Sequence, residues 1–289
     1  MKRLSLLLVI ALLLGLMGCS AAEEPPQIIA TTKPVYDFTR QLCAGTELSV
    51  GLLISDNVSC LHDYSLSVEQ ARNAEAAEMI VLSGAGLEDF MSELLSGCDS
   101  VIDSSAGVPL LECAQPHEHG HDHHHEADAH IWLAPKNARI MVQNICDGLS
   151  AAYPQYTEVF RQNLTELEFA LDHLQAYGEK ELSTLSCREM VTFHDGFGYF
   201  ASAFDLTVAV AIEEESGSET SARELIHLIE LIGQHNIPAV FTEVNGSVSA
   251  SGIISAEIGV SVHTLDMGMG GDYFEIMYRN IDTVKEALG

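Results

Sequence analysis

The sequence predicts an α/β protein of two lobes, each a parallel β-sheet with helices, joined by a long backbone helix and enclosing a crevice. Three observations carry this. Short apolar runs alternate with helical stretches in two separate blocks, 28–154 and 183–289, and strands separated by helices of such length pair in parallel through right-handed crossovers. Between the blocks, residues 155–182 keep one helical apolar stripe. The 289 residues are 47% hydrophobic, enough for one large domain or two medium lobes and too much for disorder throughout.

The N-terminus reads as an address rather than as part of the fold. Lys2 and Arg3 precede an apolar run from Leu4 to Leu16, the pattern of an export signal over 1–18 that is too short for a stable membrane span. Leu16-Met17-Gly18-Cys19 resembles the bacterial lipobox, whose cysteine is lipidated and becomes the first residue of the mature protein. Cys19 is therefore the expected lipid-bearing residue, and the polar segment 19–27 its tether.

The first lobe opens with a strand at 27–32. A helix follows with Pro34 in its first turn, where the missing N–H costs nothing, and with Val35, Phe38 and Leu42 on one face. A strand at 47–54, a helix at 67–78, a strand at 79–84, a helix at 86–97 and a strand-like segment at 99–105 complete the alternation. The pattern breaks at 114–128, a tract of His, Asp and Glu with almost no apolar content that cannot join a core. Seven of the chain's thirteen histidines fall between His117 and His130.

After Pro154, the residues Phe160, Leu164, Leu167, Leu171 and Leu174 mark the buried face of the connecting helix over 155–182. At 1.5 Å per residue it would be roughly 42 Å long, a rigid span between lobes. The second lobe repeats the alternation: strands at 189–195, 206–212, 239–244 and 260–266, helical segments at 196–204, 221–236 and 248–259, and a final helix at 273–288.

Composition narrows the partners. Thirteen Lys and Arg against forty-two Asp and Glu give a net charge of −29, which repels nucleic acid and favours cations, although solubility alone also explains it. Beyond Cys19 there are six cysteines, Cys43, Cys60, Cys98, Cys113, Cys146 and Cys187. An exported chain permits disulfides among them, but no CxxC pair occurs and buried free thiols fit equally well.

Ligands of parallel α/β sheets bind at the carboxyl ends of the strands. His62 follows the second strand, His130 follows the His-rich tract, His194 ends the strand at 189–195, and Asp266 ends the strand at 260–266. Three imidazoles and a carboxylate satisfy a four-coordinate zinc ion, yet each His alone is also an ordinary hydrogen-bonded residue and each Asp an ordinary helix cap. The run His117-Glu118-His119-Gly120-His121 matches the H-E-x-x-H pattern of zinc proteases. That chemistry needs both histidines on one face of a regular helix. This run follows Pro116, contains Gly120 and has no apolar face, so the match is a chance one.

The stretches "HDYSLSVEQARNAEAAEMIVLSGAGLEDFM", "DAHIWLAPKNA" and "VTFHDGFGYFA", and the run from "AVFTEV" to "TLD" with "MYRNIDTVKEAL", resemble the zinc and manganese solute-binding proteins of bacterial ABC importers. They stand in the family's order and cover nearly all of the mature chain. The resemblance implies two (β/α) lobes with metal held between them. Carried over motif by motif, the family's ligands fall on His62, His130 and His194, with Asp266 as fourth where that position is used. Some zinc-specific relatives place a Glu just before the first His; this chain has Leu61, which favours Asp266 or water, and the neighbouring Cys60 is unusual. The loop at 116–126, carrying His117, His119, His121, His123, His124 and His125, resembles the His-rich insertion of zinc-type members and is expected to capture cations.

These matches imply a binding protein rather than an enzyme. It would be a monomeric lipoprotein anchored to the outer face of the cytoplasmic membrane, with an ABC permease and its ATPase as partners and no role for nucleic acid. Imidazole ligands favour Zn2+ as the transported ion, with Mn2+ the alternative. A rival from another class is a zinc hydrolase with an open water position and Glu243 as base. A third reading, a surface adhesin involved in cell adhesion, has no repeat or aromatic motif to favour it.

Overall fold

The computed structural model describes residues 25–54, 64–111, 127–213, 222–244 and 248–289. Cys19, Cys60, His62, Cys113 and the histidines from His117 to His125 lie outside the described residues.

Ile28, Ile29 and Ala30 are all buried because β1 (Ile28–Ala30) is an interior strand, with β2 (Val50–Leu52) on one side and β3 (Met79–Leu82) on the other. With β4 (Val101–Asp103) these strands form a parallel sheet in the order β2-β1-β3-β4. The second sheet repeats that plan as β6-β5-β7-β8, from β5 (Glu189–His194), β6 (Thr207–Glu213), β7 (Ala239–Glu243) and β8 (Ser261–Leu265). All its pairings are parallel, as the alternation predicts.

The first helix, α1 (Lys33–Leu42), buries Val35, Phe38 and Leu42 as its spacing implies, and also Asp37. Next comes α2 (Val68–Ala76), where the Ser67 hydroxyl accepts from the Gln70 N–H and the Gln70 side chain accepts from the Ser67 N–H, a reciprocal cap. The helix expected over 86–97 does not form as one element. A 3₁₀ turn at Asp89–Met91 leads into a single α turn, α3 (Ser92–Leu95). The cause lies upstream: Gly84, Ala85 and Gly86 all take positive φ, and the Glu88 carboxylate turns back onto the N–H groups of Ser83 and Gly84. A Cβ on Gly84 would lie 1.9 Å from an Asp103 carboxylate oxygen, so this turn needs glycine.

Pro135 begins α4 (Pro135–Ala152), which packs on the connector α5 (Thr157–Glu181). This helix is 25 residues long, about 37 Å, and it buries the anticipated stripe from Phe160 to Leu174. Its first half grips the first lobe, where the Asn163 amide donates to the carbonyls of Leu42 and Ala44. Its second half grips the other, where Gln175 donates to the Ala203 carbonyl and the Tyr177 hydroxyl to Asp282. The remaining helices are α6 (Gly198–Ala203), α7 (Ala222–His235), α8 (Val248–Ile258) and α9 (Tyr273–Leu288).

One core runs through both lobes and the connector, while Val191, Phe193, Ile232, Ile237, Val240 and Ile254 form a second cluster on the far face of the second sheet. Strand alternation explains the split: Met190 and Phe241 face the shared core, Val191 and Val240 the outer cluster.

Candidate metal centre

In each sheet the chain runs first to one side of its opening strand and then to the other, so a crevice opens at the carboxyl ends of β1 and β3, and of β5 and β7. His194 is the last residue of β5 and Glu243 the last of β7, both buried at that point. From the first lobe comes His130, at the head of a 3₁₀ turn (Ile131–Leu133) that runs into α4.

These two histidines meet. Their Nε2 atoms are 3.5 Å apart and the ring planes are almost perpendicular, at 89°. In a tetrahedral zinc site with Zn–N near 2.0–2.1 Å, two nitrogens are about 3.3–3.4 Å apart, so the pair is spaced as two ligands of one ion would be. The space is closely shaped. A Cβ on Gly196 would come 2.7 Å from His194 Cδ2, 3.0 Å from His130 Cε1 and 2.3 Å from Met267 Cε, so only glycine fits after His194-Asp195.

The outer nitrogens face carboxylates. Asp128 Oδ1 accepts from both the backbone N–H and Nδ1 of His130, at 2.9 and 2.8 Å. An ionised carboxylate only accepts, so Nδ1 carries the proton and Nε2 presents its lone pair to the crevice. Behind His194, Glu243 Oε1 lies 3.7 Å from Nδ1. Glu243 therefore stands on the side of His194 away from His130, which is the wrong side for a base acting on water between the two rings.

Asp266 directly follows β8, and its carboxylate is engaged elsewhere in this structure. Oδ1 accepts from the Gly268 N–H at 2.9 Å and Oδ2 from Arg279 Nη2 at 2.8 Å. Its backbone is clamped by buried Asn280 on α9, which accepts from the Asp266 N–H and donates to the Asp266 carbonyl. Among the described residues, no three His, Cys, Asp or Glu side chains form a group that could hold a metal ion. The structure thus brings His130 and His194 together and leaves the Asp266 carboxylate on Arg279.

Sequence reasoning passed over several supporting residues. Asp128 stands two residues before His130, a local signal that an oriented histidine is present. Tyr273, Trp132, Asn280 and Arg279 gave no such signal, because they act between segments far apart in the chain. The Tyr273 hydroxyl donates to the Trp132 carbonyl at 2.8 Å, its ring packs edge-on against Phe38, and its N–H donates to Asp37 on α1. Among the described residues Cys43, Cys98, Cys146 and Cys187 are free thiols, and burial pushes Cys43 up to about 12.

The family of the periplasmic zinc-uptake complex component A matches residues 28–287. The chain is 30% identical over 307 aligned positions to the zinc-binding lipoprotein AdcA of Streptococcus pneumoniae strain R6, an alignment covering 99% of this chain and 61% of AdcA. The chain thus spans about three-fifths of the length of these curated relatives. A crystal structure of ZnuA superposes with a TM-score of 0.80 at 28% identity, covering 91% of this chain and 98% of that one. The Zn(II)-bound ZnuA-like domain of Streptococcus pneumoniae AdcA superposes with a TM-score of 0.77 at 28% identity, covering 91% and 98%.

Proposed function

The chain belongs to the family of the periplasmic zinc-uptake complex component A, and from that membership we propose that it is the extracytoplasmic zinc-binding component of an ABC importer. It captures Zn2+ between its lobes and hands the ion to a membrane permease driven by an ATPase. The observation that carries this is the inter-lobe pair His130 and His194, with Nε2 atoms 3.5 Å apart, the Asp128 carboxylate hydrogen-bonded to the outer nitrogen of His130 and the Glu243 carboxylate 3.7 Å from that of His194. Carboxylate-backed imidazoles are the usual form of a histidine metal ligand, since the carboxylate fixes the tautomer and raises the ring's basicity.

The proposed ligand set is His62, His130, His194 and Asp266. Nitrogen-rich coordination favours zinc over manganese in the general affinity order, with Mn2+ as the alternative cargo. The protein is a carrier and not an enzyme; the position of Glu243 behind His194 gives the hydrolase reading no base. We further assign the export signal to 1–18, the lipidated tether to 19–27, the lobes to 28–154 and 183–289 and the connector to 155–182. Cys19 is then the anchor to the outer face of the cytoplasmic membrane, the working unit is a monomer, and the His-rich loop at 116–126 is an accessory cation-capturing segment.

Metal analysis of protein purified without added metal, followed by competitive titration with Zn2+ and Mn2+, tests this reading. One zinc per chain is expected, held more tightly than manganese and released to near background in His130→Ala and His194→Ala. Wild-type affinity in both variants would overturn the site. Turnover of ester, peptide or phosphate substrates that requires zinc would overturn the carrier assignment.

A further inference from the structure

The turn that carries Asp266 is fixed in its backbone and movable only at its carboxylate. Asn280 holds both the N–H and the carbonyl of Asp266. The Trp132 indole donates to the Met267 carbonyl at 2.7 Å. One carboxylate oxygen is retained by the Gly268 N–H, within the turn itself. The other is held by Arg279 across 2.8 Å, and here the two partners differ: the Asp266 side chain is 17% exposed and the Arg279 side chain 59%. The cation in this pair stands mostly in solvent.

Arg279 also has somewhere to go. Glu275 lies four residues earlier on α9 and is exposed like Arg279, and an acidic residue four positions before a basic one is the favoured order for a helical ion pair. A guanidinium in a chain with thirteen basic residues and a net charge of −29 is an unusual neighbour for a cation site, because it repels the ion it stands beside.

We infer that Arg279 is a tethered competitor of the metal ion: it holds the Asp266 carboxylate while the site is empty, yields it to zinc on loading, and takes it back on release. The inference rests on the ligand set proposed above. A carrier must both bind and surrender its cargo, and an internal cation that replaces the ion on one ligand lowers the cost of surrender. The charge that zinc leaves on Asp266 is then neutralised at once instead of remaining in the crevice. Arg279 acts through Asp266 and does not touch the ion, so it is a positioning residue.

The sign of the effect separates this from an ordinary orienting role. A residue that only orients Asp266 would weaken zinc binding when removed, whereas a competitor strengthens it. Arg279→Gln is expected to bind zinc roughly two- to fivefold more tightly, the range for a partly exposed ion pair, and to pass zinc more slowly to a colorimetric chelator. Its zinc-free melting temperature should stand at or slightly below wild type, so its zinc-induced rise is larger. Arg279→Lys keeps the charge and should stay near wild type. In an Asp266→Asn background, Arg279→Gln should change nothing.

Equal or weaker binding by Arg279→Gln in the wild-type background overturns the competitor, while loss of affinity in Asp266→Asn still supports the ligand set. Wild-type affinity in Asp266→Asn removes Asp266 from the ligand set and the competitor with it. Tighter binding by Arg279→Gln that persists in the Asp266→Asn background shows a general field effect and also overturns the exchange.

Discussion

Trp132 donates its indole N–H to the Met267 carbonyl at 2.7 Å, and each of these residues stands beside a candidate ligand on opposite sides of the crevice. Trp132 is two residues after His130 and packs edge-on against its ring, with centroids 5.5 Å apart. Met267 follows Asp266. One buried hydrogen bond thus ties the segment carrying His130 to the turn carrying Asp266.

Trp132→Phe keeps an aromatic ring in that place and removes the donor, leaving the Met267 carbonyl buried without this partner. An unsatisfied buried group costs about 1–3 kcal/mol, so the melting temperature of the metal-free protein should fall by several degrees. Zinc affinity should fall with it, as His130 and the Asp266 turn lose their common reference. Thermal denaturation and zinc titration of the same samples check both. Unchanged affinity beside lowered stability would confine Trp132 to packing.

Asp128 supplies a sharper test of how His130 is prepared. Its Oδ1 holds the ring at Nδ1 and the backbone N–H together. Outer carboxylates of this kind are worth roughly 10–100-fold in metal affinity, so Asp128→Ala should weaken zinc binding by that factor while keeping one ion per chain at saturation. Asp128→Asn retains an acceptor and should fall between. Affinity equal to wild type in Asp128→Ala would show that the imidazole orientation is set by packing against Trp132 and His194.

Glu88 makes stability depend on pH through a carboxyl that is not among the proposed metal ligands. It is buried, with Oε1 accepting from the Thr31 hydroxyl and the Ser83 N–H and Oε2 from the Gly84 N–H, and desolvation raises its pKa from 4.5 to about 7 despite those donors. A carboxyl raised in the folded state favours folding while it is protonated. That contribution is complete below about 4.5 and is lost as pH rises through about 7, a swing of roughly 3 kcal/mol over the interval. Denaturant unfolding of zinc-free protein across that window should show stability falling as pH rises, by an amount that is absent in Glu88→Gln. The same slope in both proteins would assign it to other groups.

The fold was legible because its signals are local. Period, Pro34 at a helix start and the stripe from Phe160 to Leu174 each lie within a dozen or so residues, and the two matching sheets follow from their repetition. The helix expected over 86–97 shrinks to a single turn at 92–95 for an equally local reason that hydropathy does not record: three successive positive φ angles and a carboxylate that caps backwards. His130 and His194 could be placed at strand ends, but their mutual distance depends on contacts between the lobes. The same is true of Arg279, which looks like an ordinary exposed helix residue until the turn after β8 is seen against it. Asp266 shows the limit most clearly, since residue type and strand position suggest a ligand while its partner in space is a guanidinium.

The His-rich loop offers the last prediction, through the residues that flank it. Leu111 and Asp128 are joined by an N–H to carbonyl bond of 2.9 Å, from Asp128 to Leu111. The Tyr199 hydroxyl, from α6 of the other lobe, binds both: it accepts from the Leu111 N–H and donates to the Asp128 carbonyl, each at 2.9 Å. The two residues that flank the tract therefore meet at one closed point, and the Asp128 that closes it is the residue that orients His130. Deleting 116–126 removes six histidines outside that point and leaves the closure to be made by residues still present. The tight site should survive with its affinity within about twofold, while the weaker zinc ions seen at higher concentration are lost, because neutral imidazoles in a polar tract still bind zinc singly or in pairs. Tyr199→Phe in the full-length chain makes the opposite change, keeping every histidine but cutting both bonds to the closure, and should weaken the tight site through Asp128 while sparing the weak ions. Calorimetric titration of both proteins decides between them. If the deletion abolishes the tight site and Tyr199→Phe leaves it untouched, the loop itself contributes a ligand and its separation from the structured centre is wrong.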